Sequence, residues 1–197
     1  MAIEARGDSD SATRVLEIGE RLVQTRGYNG FSYADIATEL GVTRASLHYH
    51  FPSKGDLGEA LIARYAERFA SALAAIERGG LPACAELDAY IALYRSVLQN
   101  DRMCLCGILA GEHQTLPQPM RDALIRFFNT NETWLVALLD RGRLDGSIAV
   151  QGPSVDTARL VLSSLEGAML VARANGDVSR FDSTARSLVS SLCSAER

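Results

Sequence analysis

Lysine, histidine and net positive charge are all scarce in this chain, which limits how it can hold nucleic acid or metal. Of 20 basic side chains only Lys54 is a lysine, and 24 acidic residues leave a net charge of -4. A broad basic field of the kind that recruits nucleic acid is therefore missing, and residues 1–57 do not restore it, with six basic against eight acidic side chains. Three histidines, two of them (His48 and His50) in one short stretch, leave few ligands for metal catalysis. The sequence lacks a phosphate-binding glycine loop, His-Glu-x-x-His, a Glu-x-x-His pair of the di-iron type and Gly-x-Ser-x-Gly. An enzyme, a metal site and a cofactor are accordingly not expected. The most apolar stretches, Trp134 to Leu139 and Leu160 to Leu170, are too short or too interrupted to cross a bilayer. The opening MAIEARGDSDSATR has no apolar core of a secretory signal, so a soluble, cytoplasmic protein is expected. Four cysteines (Cys84, Cys104, Cys106, Cys193) in such a chain are expected as thiols, not as a disulfide framework.

What is present is helix. With 47% hydrophobic residues over 197 positions the chain can bury a substantial core. Nearly every segment has helical period and none alternates convincingly with period two. After a polar, frayed stretch at 1–10, a stripe of Val15, Leu16, Ile18, Leu22 and Val23 predicts a helix over 11–26, closed by Gly27. Ser32 with Asp35 caps a short helix to about Leu40, and Thr43 caps a third to about His50. Pro52 breaks the chain, and Ser53 with Asp56 starts a long fourth helix ending near Gly79. Five more are predicted at about 83–99, 103–114, 118–144, 155–175 and 180–194. Nine helices with short connections make an all-α protein: an N-terminal three-helix helix-turn-helix domain over 1–52 and a larger helical domain over 53–197.

The stretch Phe31–Leu61 carries the function. In a helix-turn-helix two short helices cross steeply at a tight turn. Ile36, Leu40, Val42 and Leu47 supply the apolar contacts, Ala37 is small where the helices press together, and Gly41 sits where the turn needs a positive φ. The third helix then exposes Thr43, Arg44, Ser46, His48, Tyr49 and His50, groups that hydrogen-bond phosphates and base edges in a major groove. A plain solvated face would carry Glu and Lys instead of a tyrosine and two histidines.

Residues 11–65 resemble the N-terminal domain of tetracycline-repressor (TetR) type regulators. The resemblance rests on Arg26-Gly27-Tyr28, on Phe31-Ser32-Tyr33-x-x-Ile36-Ala37, on Gly41-Val42-Thr43, and above all on Leu47-His48-Tyr49-His50-Phe51-Pro52-Ser53-Lys54, where His48 replaces the family's usual Tyr. It implies that Arg44, Ala45, Ser46 and His48 reach base edges, and that Tyr33, Thr43, Tyr49, His50 and Lys54 hold phosphates. It implies a repressor that binds a palindromic operator in double-stranded DNA as a homodimer. The resemblance further implies release by a small-molecule inducer, whose chemistry the sequence leaves open.

The helix over 155–175 is apolar around much of its circumference (Ala158, Leu160, Val161, Leu162, Leu165, Ala168, Met169, Leu170, Ala172), with Gly167 permitting close approach, and Phe181, Leu188, Val189 and Leu192 line the last helix. The resemblance places a four-helix dimer interface on these two helices; an intramolecular core is the competing reading. It also implies a ligand cavity among the middle helices, for which Tyr65, Phe69, Tyr94, Cys106, His113, Phe127 and Trp134 are the candidate lining residues. Cys104 and Cys106 lie about 200° apart on a helix and cannot face one ligand together. Cys106, Ala110 and His113 would share a face, which suits an oxidant or electrophile sensor acting through Cys104 and Cys106; simple packing of two small soft residues is the other reading. Two further classes compete, a small helical enzyme and a helical interaction module that has lost DNA binding. Thr43, Tyr49, His50 and Lys54 speak against the second.

Overall fold

A computed structural model describes the backbone of residues 2–193 and the side chains of residues 11–193. Among the described residues there are nine α-helices: α1 (Ala2–Arg26), α2 (Tyr33–Leu40), α3 (Arg44–His50), α4 (Lys54–Arg78), α5 (Ala83–Gln99), α6 (Leu105–Gly111), α7 (Gln118–Leu144), α8 (Ser154–Asn175) and α9 (Ser179–Leu192). The only pairing of extended backbone among them is an isolated antiparallel bridge between Ile148 and Cys193. None of these helices is long and apolar enough to cross a membrane. Two elements differ from expectation. Helix α1 starts at Ala2, so the polar opening expected to fray is helical. The helix expected over 103–114 is shorter, Leu105–Gly111, and is followed by a single 3-10 turn at His113–Thr115.

The chain forms two compact units. The first is Met1–Ala66 with Leu105–Ile125, so it reaches past position 52 into α4 and takes in α6 and the start of α7. Its core is Leu22, Val23, Ile36, Leu47, Leu57 and Leu61, all almost fully buried. Short helices such as α2 and α3 are marginal by propensity, so packing and caps must hold them. Both Oγ and the backbone N–H of Ser32 donate to Asp35, each at 2.7 Å. Ser53 and Asp56 form the reciprocal pair, with the Ser53 N–H donating to the carboxylate and the Asp56 N–H to Ser53 Oγ. Gly41 closes α2 at φ 69°, where a side chain would strain the backbone although nothing crowds it. Arg21 pairs with Glu39, tying α1 to α2.

The second unit is Glu67–Cys104 with Arg126–Arg197. Helices α5, α8 and α9 pack on one another, and Leu87, Leu135, Leu138, Val161, Leu165 and Phe181 are sealed in its core. The buried carboxylate of Glu86 receives Arg141 at 2.6 Å, and Arg95 reaches Asp182 of α9 at 2.6 Å. The four cysteines are not all thiols. Cys84, at the start of α5, is bonded to Cys193, which caps α9. The fold brings their Cα atoms to 5.9 Å although 109 positions separate them in sequence, and spacing cannot reveal such a meeting. Cys104 and Cys106 are outside the disulfide and buried.

Candidate nucleic-acid interface

Helix α3 follows α2 through the tight turn at Gly41-Val42, with the Val42 N–H donating to Ala37 O at 3.0 Å. Leu47 is the residue of α3 that goes fully inward. Thr43 Oγ1 accepts the Ser46 N–H at 3.3 Å, which fixes the first turn. That leaves Thr43, Arg44, Ala45, His48 and Tyr49 exposed, with Ser46 and His50 half-buried beside them. Tyr49 stands 75% exposed, which leaves both its ring and its hydroxyl open to a partner. His48 is exposed but not loose: its ring packs on Tyr33 at 4.7 Å and Nδ1 lies 3.0 Å from Pro52 O. The carbonyl can only accept, so Nδ1 carries the proton and Nε2 remains to face a partner. Tyr49 meets the His50 ring edge-on at 5.2 Å.

Two residues expected at phosphates are occupied inside the protein. The Tyr33 hydroxyl shares its hydrogen between Phe51 O at 2.8 Å and Ser53 O at 2.7 Å. Burial first, then the Asp56 charge, pushes its pKa up to about 12, so it stays a neutral donor. Tyr33 thus clamps the α3–α4 turn and reaches phosphate only by giving up those bonds. Lys54 turns inward as well. Its Nζ donates to Phe31 O at 2.5 Å and sits over the rings of Tyr28 and Phe31, 4.5 and 4.4 Å from their centroids. Burial lowers its pKa, partly offset by Glu112 and Asp35. The ammonium that the resemblance sets against a phosphate is thus held by Phe31 O and the faces of two rings.

The segment 105–125 docks within the same unit at the end of α1. The Glu112 carboxylate accepts the backbone N–H groups of Tyr28 at 2.7 Å and Asn29 at 3.2 Å, and Asn29 Nδ2 donates to Thr115 Oγ1 at 2.8 Å. Glu112 has left the helix to do this, and so α6 ends at Gly111. The break places His113 in the 3-10 turn, so the regular face expected for Cys106, Ala110 and His113 does not form. Cys106 is fully buried and Cys104 is 1% exposed, which withholds both from a dissolved oxidant or electrophile.

The candidate ligand residues divide. Phe69, Tyr94, Phe127 and Trp134 gather in the second unit around Tyr90, whose ring stacks on Trp134 at 5.3 Å and meets Tyr94 at 5.4 Å. Phe69 meets Phe127 edge-on at 5.3 Å. Tyr65, Cys106 and His113 belong to the first unit. Sequence reading missed Asn131 and Glu166 of this second-unit cluster. Asn131 accepts the Tyr90 hydroxyl at 3.3 Å, and half-buried Glu166 has its Oε1 closed off from solvent and acts electrostatically on Tyr90 and Tyr94. The position of Glu166 beside Leu165 and one turn from Leu162 and Met169, on the inward side of α8, was the available signal.

Comparison with known proteins bears on the family and the fold. Residues 15–61 match the family model described as bacterial regulatory proteins, tetR family. A transcriptional regulator of that family from Agrobacterium tumefaciens has a structure that superposes with a TM-score of 0.92. It is 31% identical, over 95% of this chain and 100% of that one. The HTH-type transcriptional repressor DhaR of Mycobacterium sp. (strain GP1) is 26% identical over 160 residues, 79% of each chain. The HTH-type transcriptional repressor KstR2 of Rhodococcus jostii (strain RHA1) is 26% identical over 148 residues, 74% of this chain and 72% of that one.

Proposed function

This chain belongs to the tetR family of bacterial regulatory proteins and is a DNA-binding transcriptional regulator, and we propose that it is a cytoplasmic repressor that holds a palindromic operator as a homodimer until a small molecule releases it. One observation carries the reading: the solvent-facing side of α3 collects Thr43, Arg44, Ala45, His48 and the 75% exposed Tyr49, a polar and aromatic surface matched to base edges and phosphates. Arg44 and His48 read bases, with Ala45 and Ser46 lying against them, and Thr43, Tyr49 and His50 fix the register on the backbone. Few cations take part, so affinity leans on hydrogen bonds and shape more than on field strength.

One such module covers too little groove for tight specific binding, which favours a pair on two half-sites. The face of α8 bearing Leu160, Ser163, Ser164, Gly167, Leu170 and Val171 suits the pairing. It leaves three large apolar side chains exposed (57, 57 and 54%) among small residues. Phe181, Leu188 and Leu192 of α9 are buried within their own unit, so α9 has its small exposed residues Ser183, Thr184 and Ser187 to offer a partner. Release then follows if ligand binding favours a dimer with a different spacing of its two α3 helices. Docking of 105–125 on the α1 end through Glu112 gives the DNA-reading unit a fixed attachment to chain that lies outside the helix-turn-helix in sequence.

Titrating the protein against labelled DNA from upstream of its own coding region tests this reading. Saturable binding at two chains per site, weakening as salt rises, is expected. A monomer indifferent to that DNA at low ionic strength refutes it.

A further inference from the structure

Two polar atoms of the second unit are closed off from solvent with nothing to bond. They are Oε1 of Glu166, on α8, and Nε1 of Trp134, on α7. The Glu166 carboxyl takes a hydrogen bond from the Cys104 thiol, which still leaves Oε1 unmet. The neighbours that could answer it are already engaged. The Tyr90 and Tyr94 hydroxyls meet each other at 3.1 Å, and Tyr90 also reaches Asn131 Oδ1 at 3.3 Å, while Asn131 Nδ2 donates to Phe127 O at 2.9 Å. An unmet buried acceptor or donor costs about 1–3 kcal/mol, and more where the group is charged, so native chains keep few of them without a use.

The surroundings state what the missing partner looks like. Five rings, Phe69, Tyr90, Tyr94, Phe127 and Trp134, form one cluster with neighbouring centroids 5.3 to 6.1 Å apart. Ring faces and a carboxylate both attract a cation, and the rings also accept an apolar body. The indole N–H asks for an acceptor oxygen.

Resting on the reading of this protein as a ligand-released regulator, we propose that the cluster binds an organic ammonium ion. Its N–H donates to Glu166 Oε1, its apolar part lies against the rings, and a hydroxyl or carbonyl oxygen accepts from Trp134 Nε1. Glu166 is pushed up to about 7, burial being the main cause and the Cys104 bond opposing it. The titratable groups facing it are Cys104, from the residue before α6, and Tyr90 and Tyr94 of α5. Binding of a cation favours the ionised carboxylate, so affinity rises from pH 6 to pH 8 and uptake near neutrality releases a proton.

The test uses three ligands with one skeleton on the full-length protein: 2-amino-1-phenylethanol, its neutral counterpart 1-phenylethane-1,2-diol, and the anion mandelate. Trp134 is the only tryptophan of the chain, so its emission reports the site directly. At pH 8 the amine shifts that emission saturably, the diol binds about tenfold or more weakly, and mandelate does not bind, as loss of one charge-assisted hydrogen bond requires. Glu166→Gln weakens the amine by a similar factor and leaves the diol unchanged. The proposal is overturned if no saturable shift occurs, if amine and diol bind alike in the wild-type protein, or if Glu166→Gln binds the amine as the wild type does. Operator binding without ligand is measured on the same preparations. Its loss counts against the regulator reading, whereas intact operator binding with no preference for the amine counts against the ammonium site alone.

Discussion

Lys54 is the chain's only lysine, and its surroundings decide what its removal does. With Nζ bonded to Phe31 O and set over two rings, Lys54→Ala should destabilise the protein by about 1–2 kcal/mol. It should leave the slope of DNA affinity against salt unchanged, since a phosphate contact alone would lower that slope by about one. Urea unfolding and a salt series measure the two effects. Arg44, exposed on α3, should behave in the opposite way. Arg44→Ala is expected to keep the fold and to cost about 1–3 kcal/mol of discrimination at one base pair, read as the affinity ratio between operator and point-substituted operator. Glu166 gives the pH prediction. Its folded pKa, about 7, lies above the ordinary 4.5, so the folded state holds a proton that the unfolded state has lost. Stability therefore falls as pH rises from about 4.5 to 7. Glu166→Gln should flatten that slope and stabilise the unliganded protein at pH 8, by up to about 3 kcal/mol. Melting temperatures of both proteins across pH 4.5–8 check the sign.

At the scale of elements, local chemistry was largely legible. Ser32–Asp35, Gly41, Thr43 and Ser53–Asp56 marked the ends of α2, α3 and α4 in sequence, and the caps form there. What sequence could not show was contact between distant segments. Helix α6 is cut short because Glu112 turns to the N–H groups of Tyr28 and Asn29, 84 and 83 positions away. Tyr33 and Lys54 fit the family pattern by position, yet their polar atoms are satisfied inside the unit, which no one-dimensional pattern encodes. Cys84 and Cys193 were read as thiols from compartment reasoning, and only the packing of α9 against α5 makes them neighbours. The bond closes a loop spanning 109 positions. Closing a loop of about that length restricts the unfolded chain by about 4–5 kcal/mol in the chain-entropy account. Cys193→Ser, or reduction of the wild type by dithiothreitol, is thus expected to lower the melting temperature, with no further effect of the reductant on Cys193→Ser. Equal melting of oxidised and reduced wild type would contradict the cross-link.

At the scale of the whole molecule, an acidic chain that binds DNA must concentrate its contacts. Its two compact units give that requirement a structural form, with the outward side of α3 on the first and the exposed Leu160, Leu170 and Val171 of α8 on the second. Pairing through the α8 face would present α3 twice, and two half-sites whose centres lie a whole number of helical turns apart, in multiples of about 34–36 Å, follow from twofold symmetry. Hydroxyl-radical footprinting of the protein on the DNA upstream of its own coding region examines this directly. The account predicts two symmetric protected stretches flanking adjacent major grooves, both lost in the Arg44→Ala, Tyr49→Ala double variant while its helical content and melting temperature are retained. A single unsymmetric footprint, or a pair that survives the double variant unchanged, would contradict it.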